Sequence, residues 1–216
     1  MREKKRLKAI IFDMDGVLLD SLDWMRKAEK YALSKYGIKF DERRYAKISG
    51  MPIVKIYQMI APKIDTWEII GVQRAWQAKN MKMVRPFPKV RFVLRELNKR
   101  YLVALCTGRR KFFGVKHLKM YDLNKYFRTK VFADDVKKGK PHPEGLMMVM
   151  KKLNVKPTET VYVGDALPDV GAARAAKVAI IGALYGIDGR LIKGKTDYEI
   201  KKLEDVLKVL ERIDPK

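Results

Sequence analysis

A chain of 216 residues with 47% hydrophobic residues can bury one sizeable core, with room for a small insert, and is not a disordered chain. Its longest apolar runs, such as Val178 to Leu184, are far too short to span a bilayer. The first apolar stretch stops at Asp13 and is not a signal peptide, and the single Cys106 excludes an internal disulfide framework, so the expectation is a cytoplasmic protein with no membrane partner.

Taken in chain order, Ala9–Phe12 reads as a strand buried on both faces. It runs into Asp13-Met14-Asp15-Gly16. Residues 13–101 then separate it from the next strand-like run, where one crossover needs only about a dozen residues. Much of this gap reads as helix. Ser21 can cap a helix to Tyr36, with Gly37 as its stop, because Leu22, Met25, Ala28, Ala32 and Leu33 fall near helical spacing. Further helices are predicted over Ile53–Ile60, ahead of Pro62, and over Thr66–Met81. Pro86 and Pro88 mark the return, followed by a helix over Val90–Arg100.

The apolar runs then resume: Leu102–Cys106, Val131–Ala133, Val161–Val163 and Val178–Ile181. Short apolar runs alternating with amphipathic segments predict a parallel α/β sheet. The predicted architecture is an α/β core of residues 1–17 and 85–216, with a helical insert of residues 18–84 after the first strand.

Three of the first four runs end in a polar or glycine-bearing cluster: Asp13-Met14-Asp15-Gly16, Thr107-Gly108-Arg109 and Gly164-Asp165. The remaining run is followed by Lys140-Pro141. Open parallel sheets bind ligands beyond the carboxyl ends of their strands, so these clusters converge on one edge. Asp13 and Asp15, two residues apart, can both address one site, and Asp165 and Asp169 bring a second acidic pair. Several carboxylates together repel one another and invite a hard cation such as magnesium. Thr107 offers a hydroxyl and Gly108 an open amide to a phosphate, Lys140 supplies positive charge, and a carboxylate can attack phosphorus directly. Alone, Asp-x-Asp-Gly is usually a turn, Thr-Gly a common strand-to-helix junction and Lys-Pro a common loop. The four in this order carry the argument.

In these segments the chain resembles the haloacid dehalogenase-like hydrolase superfamily. The resemblance lies in Ile10 to Ser21, in Leu105-Cys106-Thr107-Gly108-Arg109, in Lys138 to Glu144 and in Val161 to Ala176. The branch it points to holds phosphoglycolate phosphatases and β-phosphoglucomutases. It implies a Rossmann-like three-layer parallel-sheet core with a small helical cap domain, residues 18–84, in which Ile48-Ser49-Gly50-Met51-Pro52 is similar to the cap turn.

It also implies roles. Asp13 is the nucleophile, and Asp15 the general acid, then base. Asp13, the backbone carbonyl of Asp15, and Asp165 hold Mg2+, with Asp169 supporting that shell. Thr107, Gly108 and Lys140 bind the phosphoryl group of a small phosphorylated metabolite. An acid at position 15 favours phosphate chemistry over dehalogenation, because a leaving alkoxide needs a proton and a halide does not. The chain departs from the family's pattern at Lys89 and Lys177, where glycine is frequent.

The implied function is a magnesium-dependent phosphatase acting through an aspartyl-phosphate. A β-phosphoglucomutase-type phosphomutase is the nearer alternative. The formal charge of +23 leaves open a nucleic-acid-binding or end-processing protein. It serves equally to attract anionic substrates, or as the surface of a thermophile protein, which four Asn and three Gln in the whole chain favour. The basic residues are spread along the chain, which weakens the nucleic-acid reading. Monomer and small homo-oligomer both stay open. Cys106 reads as structural, His117 as structural or solvated, His142 as a loop residue, and Arg109 and Arg110 as residues within reach of a substrate anion. Trp24, Tyr31, Trp67 and Trp76 read as core of the insert.

Overall fold

The computed structural model describes residues 6–41 and 53–215. The predicted turn at Ile48–Pro52 lies outside them. The chain divides into two compact units, one of Met1–Asp20 and Pro86–Lys216, the other of Ser21–Arg85.

The first unit is an α/β fold of the Rossmann-like kind. Its strands are β1 (Ala9–Phe12), β4 (Leu102–Cys106), β5 (Thr129–Val131), β6 (Thr160–Gly164), β7 (Ala179–Ala183) and β8 (Tyr198–Ile200), with the short β2 (Leu19–Asp20) and β3 (Arg85–Pro86) at the unit boundary. The six form one parallel sheet in the order β5-β4-β1-β6-β7-β8. After β1 the chain builds outward on one side through β4 and β5, then returns to β1's other side for β6. That reversal makes β1 the switch point, where such sheets bind ligands.

All four residues of β1 are fully buried, as a central strand covered on both faces requires. On one face Ile11, Ala104, Cys106, Val131, Tyr162 and Ile180 pack with residues of α6 (Glu144–Leu153) and α7 (Leu167–Ala175), the last two helices but two in chain order. The others of this unit are α4 (Val90–Asn98), α5 (Lys111–Met120), α8 (Gly189–Ile192) and α9 (Asp205–Ile213). Alternate residues such as Ile10, Phe12, Val103 and Leu105 point to the opposite face and are also buried.

The strand over Val131–Ala133 is displaced to Thr129–Val131. The Asp135 carboxylate accepts the Phe132 N–H at 2.9 Å and draws Phe132 into a 3-10 turn over Ala133–Asp135. The edge strand β8 escaped the sequence reading because Tyr198 and Glu199 are exposed and only Ile200 is buried. Lys89 and Lys177 both take the left-handed conformation, with φ of 60° and 56°. The turn after α7 therefore survives without glycine: Lys177 N–H donates to Arg174 O and Val178 N–H to Ala173 O.

The second unit contains α1 (Leu22–Ser34), α2 (Ile53–Ile60) and α3 (Thr66–Lys79). Its core is Ala32, Leu33, Tyr57, Ala61, Ile69 and Ile70. Asp65 caps α3 by accepting the N–H groups of Trp67 and Glu68. Ser21 stands at the N-cap of α1 but its side chain makes no capping hydrogen bond; its hydroxyl lies 3.8 Å from Met25 Sδ. Trp24 is buried and donates to Gln77 O, whereas Trp67 is exposed at 61% and is not core.

Candidate active site

The parallel register sets one edge of the sheet. Phe12 pairs with Leu105 on one side and Val163 on the other, so Asp13, Thr107 and Asp165 all follow the ends of adjacent strands. Asp13 N–H donates to Val163 O at 2.9 Å, which holds the residue on the strand axis.

Asp13, Asp165 and Asp169 converge, with one oxygen from each within 4.8 Å of the others, and all three are buried. Local packing is built around these carboxylates. Gly16 has φ of +72°, and a Cβ there would stand 2.0 Å from Asp165 Oδ2; one at Gly164 would stand 2.5 Å from Asp169 Cβ. Asp165 Oδ2 accepts the N–H of Ile187 at 2.6 Å. Asp169 Oδ2 accepts the N–H groups of Asp165 and Ala166 at the start of α7, a favourable place for a carboxylate.

Lys140 joins this group. Its ammonium has three hydrogens to give. Its neighbours are Asp169 Oδ1 at 2.6 Å, the Tyr162 hydroxyl at 3.0 Å and Asp13 Oδ2 at 3.1 Å. Tyr162 OH in turn donates to Asp169 Oδ1 at 2.8 Å, closer than the Cys106 carbonyl at 3.3 Å. Tyr162 was invisible as a site residue in the sequence, where it is one more apolar position of a strand. Its signal is a buried phenol, since a buried hydroxyl needs a polar partner.

The electrostatics follow from burial. Loss of water pushes the Asp13 carboxyl up to about 7, against the attraction of Lys140 and with the help of Asp169 and Asp15. Asp165 is raised well above the usual carboxylate range, by burial first and then by Asp169 and Asp13. Burial also opposes the charge of Lys140, but Asp13 and Asp169 outweigh it and its pKa is raised. Asp13 Oδ1 is buried without a hydrogen-bond partner. Three carboxylates against one ammonium leave two negative charges uncompensated when all are ionised. An all-oxygen site with an orphaned buried oxygen fits a divalent hard cation such as magnesium.

The Asp15 carboxylate is not part of this convergence. It is gripped by Arg109, whose Nε donates to Oδ2 at 3.0 Å and whose Nη2 donates to Oδ1. Arg109 is therefore not directed at a substrate anion as the sequence suggested. Its side chain is buried, and Nη1 lies 2.6 Å from His117 Nδ1. Arg110 pairs with Asp134. Thr107 is buried, and its hydroxyl accepts the Arg109 N–H at 3.1 Å. Gly108 is exposed, with open space where a Cβ would stand. Cys106 lies in the core, where burial pushes its thiol up to about 12 and makes it inert. His142 is an exposed loop residue whose Nδ1 accepts from Glu144 N–H.

Fold and site together define an enzyme of the parallel α/β class with a buried carboxylate centre at the switch point of its sheet. The family model for haloacid dehalogenase-like hydrolases matches residues 10–183, and the chain belongs to that family. It is 30% identical over 215 residues to a phosphorylated carbohydrates phosphatase of Thermotoga maritima, covering 96% of this chain and 100% of that one. It is also 30% identical over 211 residues to a pyrophosphatase of Bacillus velezensis, covering 95% and 97%. A crystal structure from Thermotoga maritima, of a protein provisionally described as a β-phosphoglucomutase, superposes with a TM-score of 0.75 at 29% identity, covering 95% and 99%.

Proposed function

We propose that this protein is a magnesium-dependent phosphatase that hydrolyses a small phosphomonoester through a phosphorylated Asp13. The observation that carries the reading is the buried Asp13 carboxylate, with Oδ2 on Lys140 and Oδ1 without a partner, between Asp165 and Asp169. Such a group is oriented, desolvated and next to the positive charge that would meet a phosphoryl oxygen.

In the first half-reaction an Asp13 oxygen attacks phosphorus and the bond from phosphorus to the ester oxygen breaks. Asp15 gives its proton to that oxygen, which leaves as an alcohol. In the second, Asp15 takes a proton from water, whose oxygen attacks phosphorus while the bond from phosphorus to the Asp13 oxygen breaks, releasing inorganic phosphate and leaving Asp13 a carboxylate and Asp15 protonated again. Lys140, Thr107 and Gly108 bind the phosphoryl oxygens. Asp13, the Asp15 carbonyl and Asp165 would hold magnesium, with Asp169 supporting them through its four hydrogen-bonded contacts. The ion supplies charge neutralisation between the attacking carboxylate and the anionic phosphoryl group. Residues 18–84 correspond to the family's small cap, which in this reading carries the choice of substrate.

The phosphorylated carbohydrates phosphatase and the pyrophosphatase match at equal identity, so sugar phosphates and inorganic pyrophosphate both belong in the first assay. Purified protein is incubated with p-nitrophenyl phosphate, a panel of sugar phosphates and pyrophosphate, with magnesium or with EDTA. Phosphate release that requires magnesium and disappears in Asp13→Asn is expected; release that persists in Asp13→Asn would sink the nucleophile. The likeness to the protein described as a β-phosphoglucomutase supports a second reading, and interconversion of hexose phosphates without phosphate release would favour it.

A further inference from the structure

We propose that Arg109 and His117 are positioning residues for the proton transfer at Asp15: His117 sets the plane of the Arg109 guanidinium, and Arg109 sets the Asp15 carboxyl. This rests on the phosphatase reading, in which Asp15 protonates the leaving oxygen.

The chain of contacts is unusual in its cost. A guanidinium keeps its charge at any working pH, and removing it from water is expensive unless its donors are used. The Arg109 side chain is only 3% exposed. Nε and Nη2 are spent on the two oxygens of Asp15, and Nη1 faces His117 Nδ1 at 2.6 Å. Arg has no lone pair to offer, so this contact requires Nδ1 to be the acceptor. Nδ1 also lies 2.9 Å from Phe113 O, and it serves one of the two at a time, as acceptor from Arg109 or as donor to Phe113. His117 is fully buried, and the pairing with Arg109 is the one in which Nδ1 carries no proton. A nitrogen acceptor beside a buried cation fixes the guanidinium at its third nitrogen, away from the two that Asp15 uses.

The geometry also ties two loops together. Arg109 is held by its own backbone, N–H to Thr107 Oγ1 and O from Ala133 N–H. His117 is carried two turns into α5, a rigid element. Asp15 lies in the loop after β1, bridged to Leu19, with its side chain 18% exposed. A two-point grip through Nε and Nη2 defines the carboxyl plane and leaves each oxygen a second lone pair, where a proton can be carried. Lysine could not replace it, because a point charge does not set a plane.

A positioning role of this kind has a signature that a structural role lacks. Esters with good leaving groups expel their oxygen without a proton, whereas poor ones need the acid. We take as readout the ratio of kcat/KM for phenyl phosphate to that for 2,4-dinitrophenyl phosphate, with magnesium present. Both values are measured on one preparation, so the fraction of correctly folded protein cancels and a partly unfolded variant is still informative. In His117→Leu the ratio is expected to fall about tenfold, a part of the usual worth of a positioned acid. In His117→Asn, whose Oδ1 can accept in place of Nδ1, it returns to within about twofold of the parent. Asp15→Asn sets the scale with the largest fall. A ratio unchanged in His117→Leu, or lowered equally in His117→Asn, would overturn the positioning role while the phosphatase reading stands. A ratio unchanged in Asp15→Asn would overturn the acid role itself and the positioning role with it.

Discussion

Asp13 and Asp15 are two residues apart and occupy opposite electrostatic surroundings. Asp13 lies among carboxylates in excess, with Asp165 and Asp169 outnumbering the one ammonium of Lys140. Asp15 lies in a balanced pair with Arg109, which His117 contacts on its other side. The first arrangement is frustrated until a cation arrives; the second is complete within the protein. Carboxylates crowded together away from water are held differently from one gripped by a guanidinium, so these neighbours, and not spacing along the chain, set the two residues apart. That division suits one residue to attack phosphorus beside a metal and the other to handle protons.

The comparison can be broken at either residue, and the largest effect is expected at Asp13. Asp13→Asn should reduce phosphate release by more than about a thousandfold, as loss of a covalent nucleophile does. The same substitution should raise the melting temperature of the metal-free protein at pH 8. The sign follows from linkage. Asp13 titrates near 7 in the folded protein and at an ordinary 3.8 without it. The folded state therefore holds the proton more tightly, and metal-free stability is lost as pH rises from about 4 through 7. Asp13→Asn should flatten that slope in melts recorded at several pH values.

Asp15→Asn should cut kcat/KM for phenyl phosphate by about 10² to 10⁴ and, unlike Asp13→Asn, should lower the melting temperature. It leaves the Arg109 guanidinium buried beside a neutral amide, at a cost of about 1–3 kcal/mol, less than for a fully buried pair because Asp15 is partly exposed. Urea unfolding of both variants beside the parent measures the contrast directly. If both shift stability the same way, the proposed difference between the two surroundings is wrong.

Magnesium should act on the frustrated half alone. At a hundred times its dissociation constant it should stabilise the protein by about 2.7 kcal/mol. The stabilisation should be greater at pH 8 than at pH 6, because a proton on Asp13 competes with the ion. Melting curves with and without magnesium should show this in the parent and in His117→Leu, and lose most of it in Asp13→Asn.

The smallest expected effect lies away from both residues. Lys177→Gly relieves a left-handed non-glycine residue at the end of α7 and should add about 0.5–1 kcal/mol in urea unfolding, with phosphate release unchanged. A change in activity there would mean that the Asp169 end of α7 feels the turn at its other end.

Much of the fold was legible because buried parallel strands announce themselves as continuous apolar runs. Ala9–Phe12 and Leu102–Cys106 are found where those runs fall, and Ile53–Ile60 ends ahead of its proline as read. The misses have local causes. β8 offers one buried residue in three, too few for a pattern, and a side-chain acceptor, Asp135, takes Phe132 from β5. Trp67 sits at a spacing that suits a core but on the exposed side of α3.

The amino-acid sequence by itself determined which chemical groups arrive at one edge of the sheet, because parallel strands deliver whatever follows their carboxyl ends. Asp13, Thr107 and Asp165 were readable for that reason. Which of those groups face one another was decided only by tertiary structure. Tyr162 on Lys140 and Asp169, and Arg109 on Asp15 and His117, join residues from 7 to 94 positions apart. Such partnerships depend on where a helix such as α5 docks and on what burial leaves unhydrated, and neither is written in the spacing of residues along one segment.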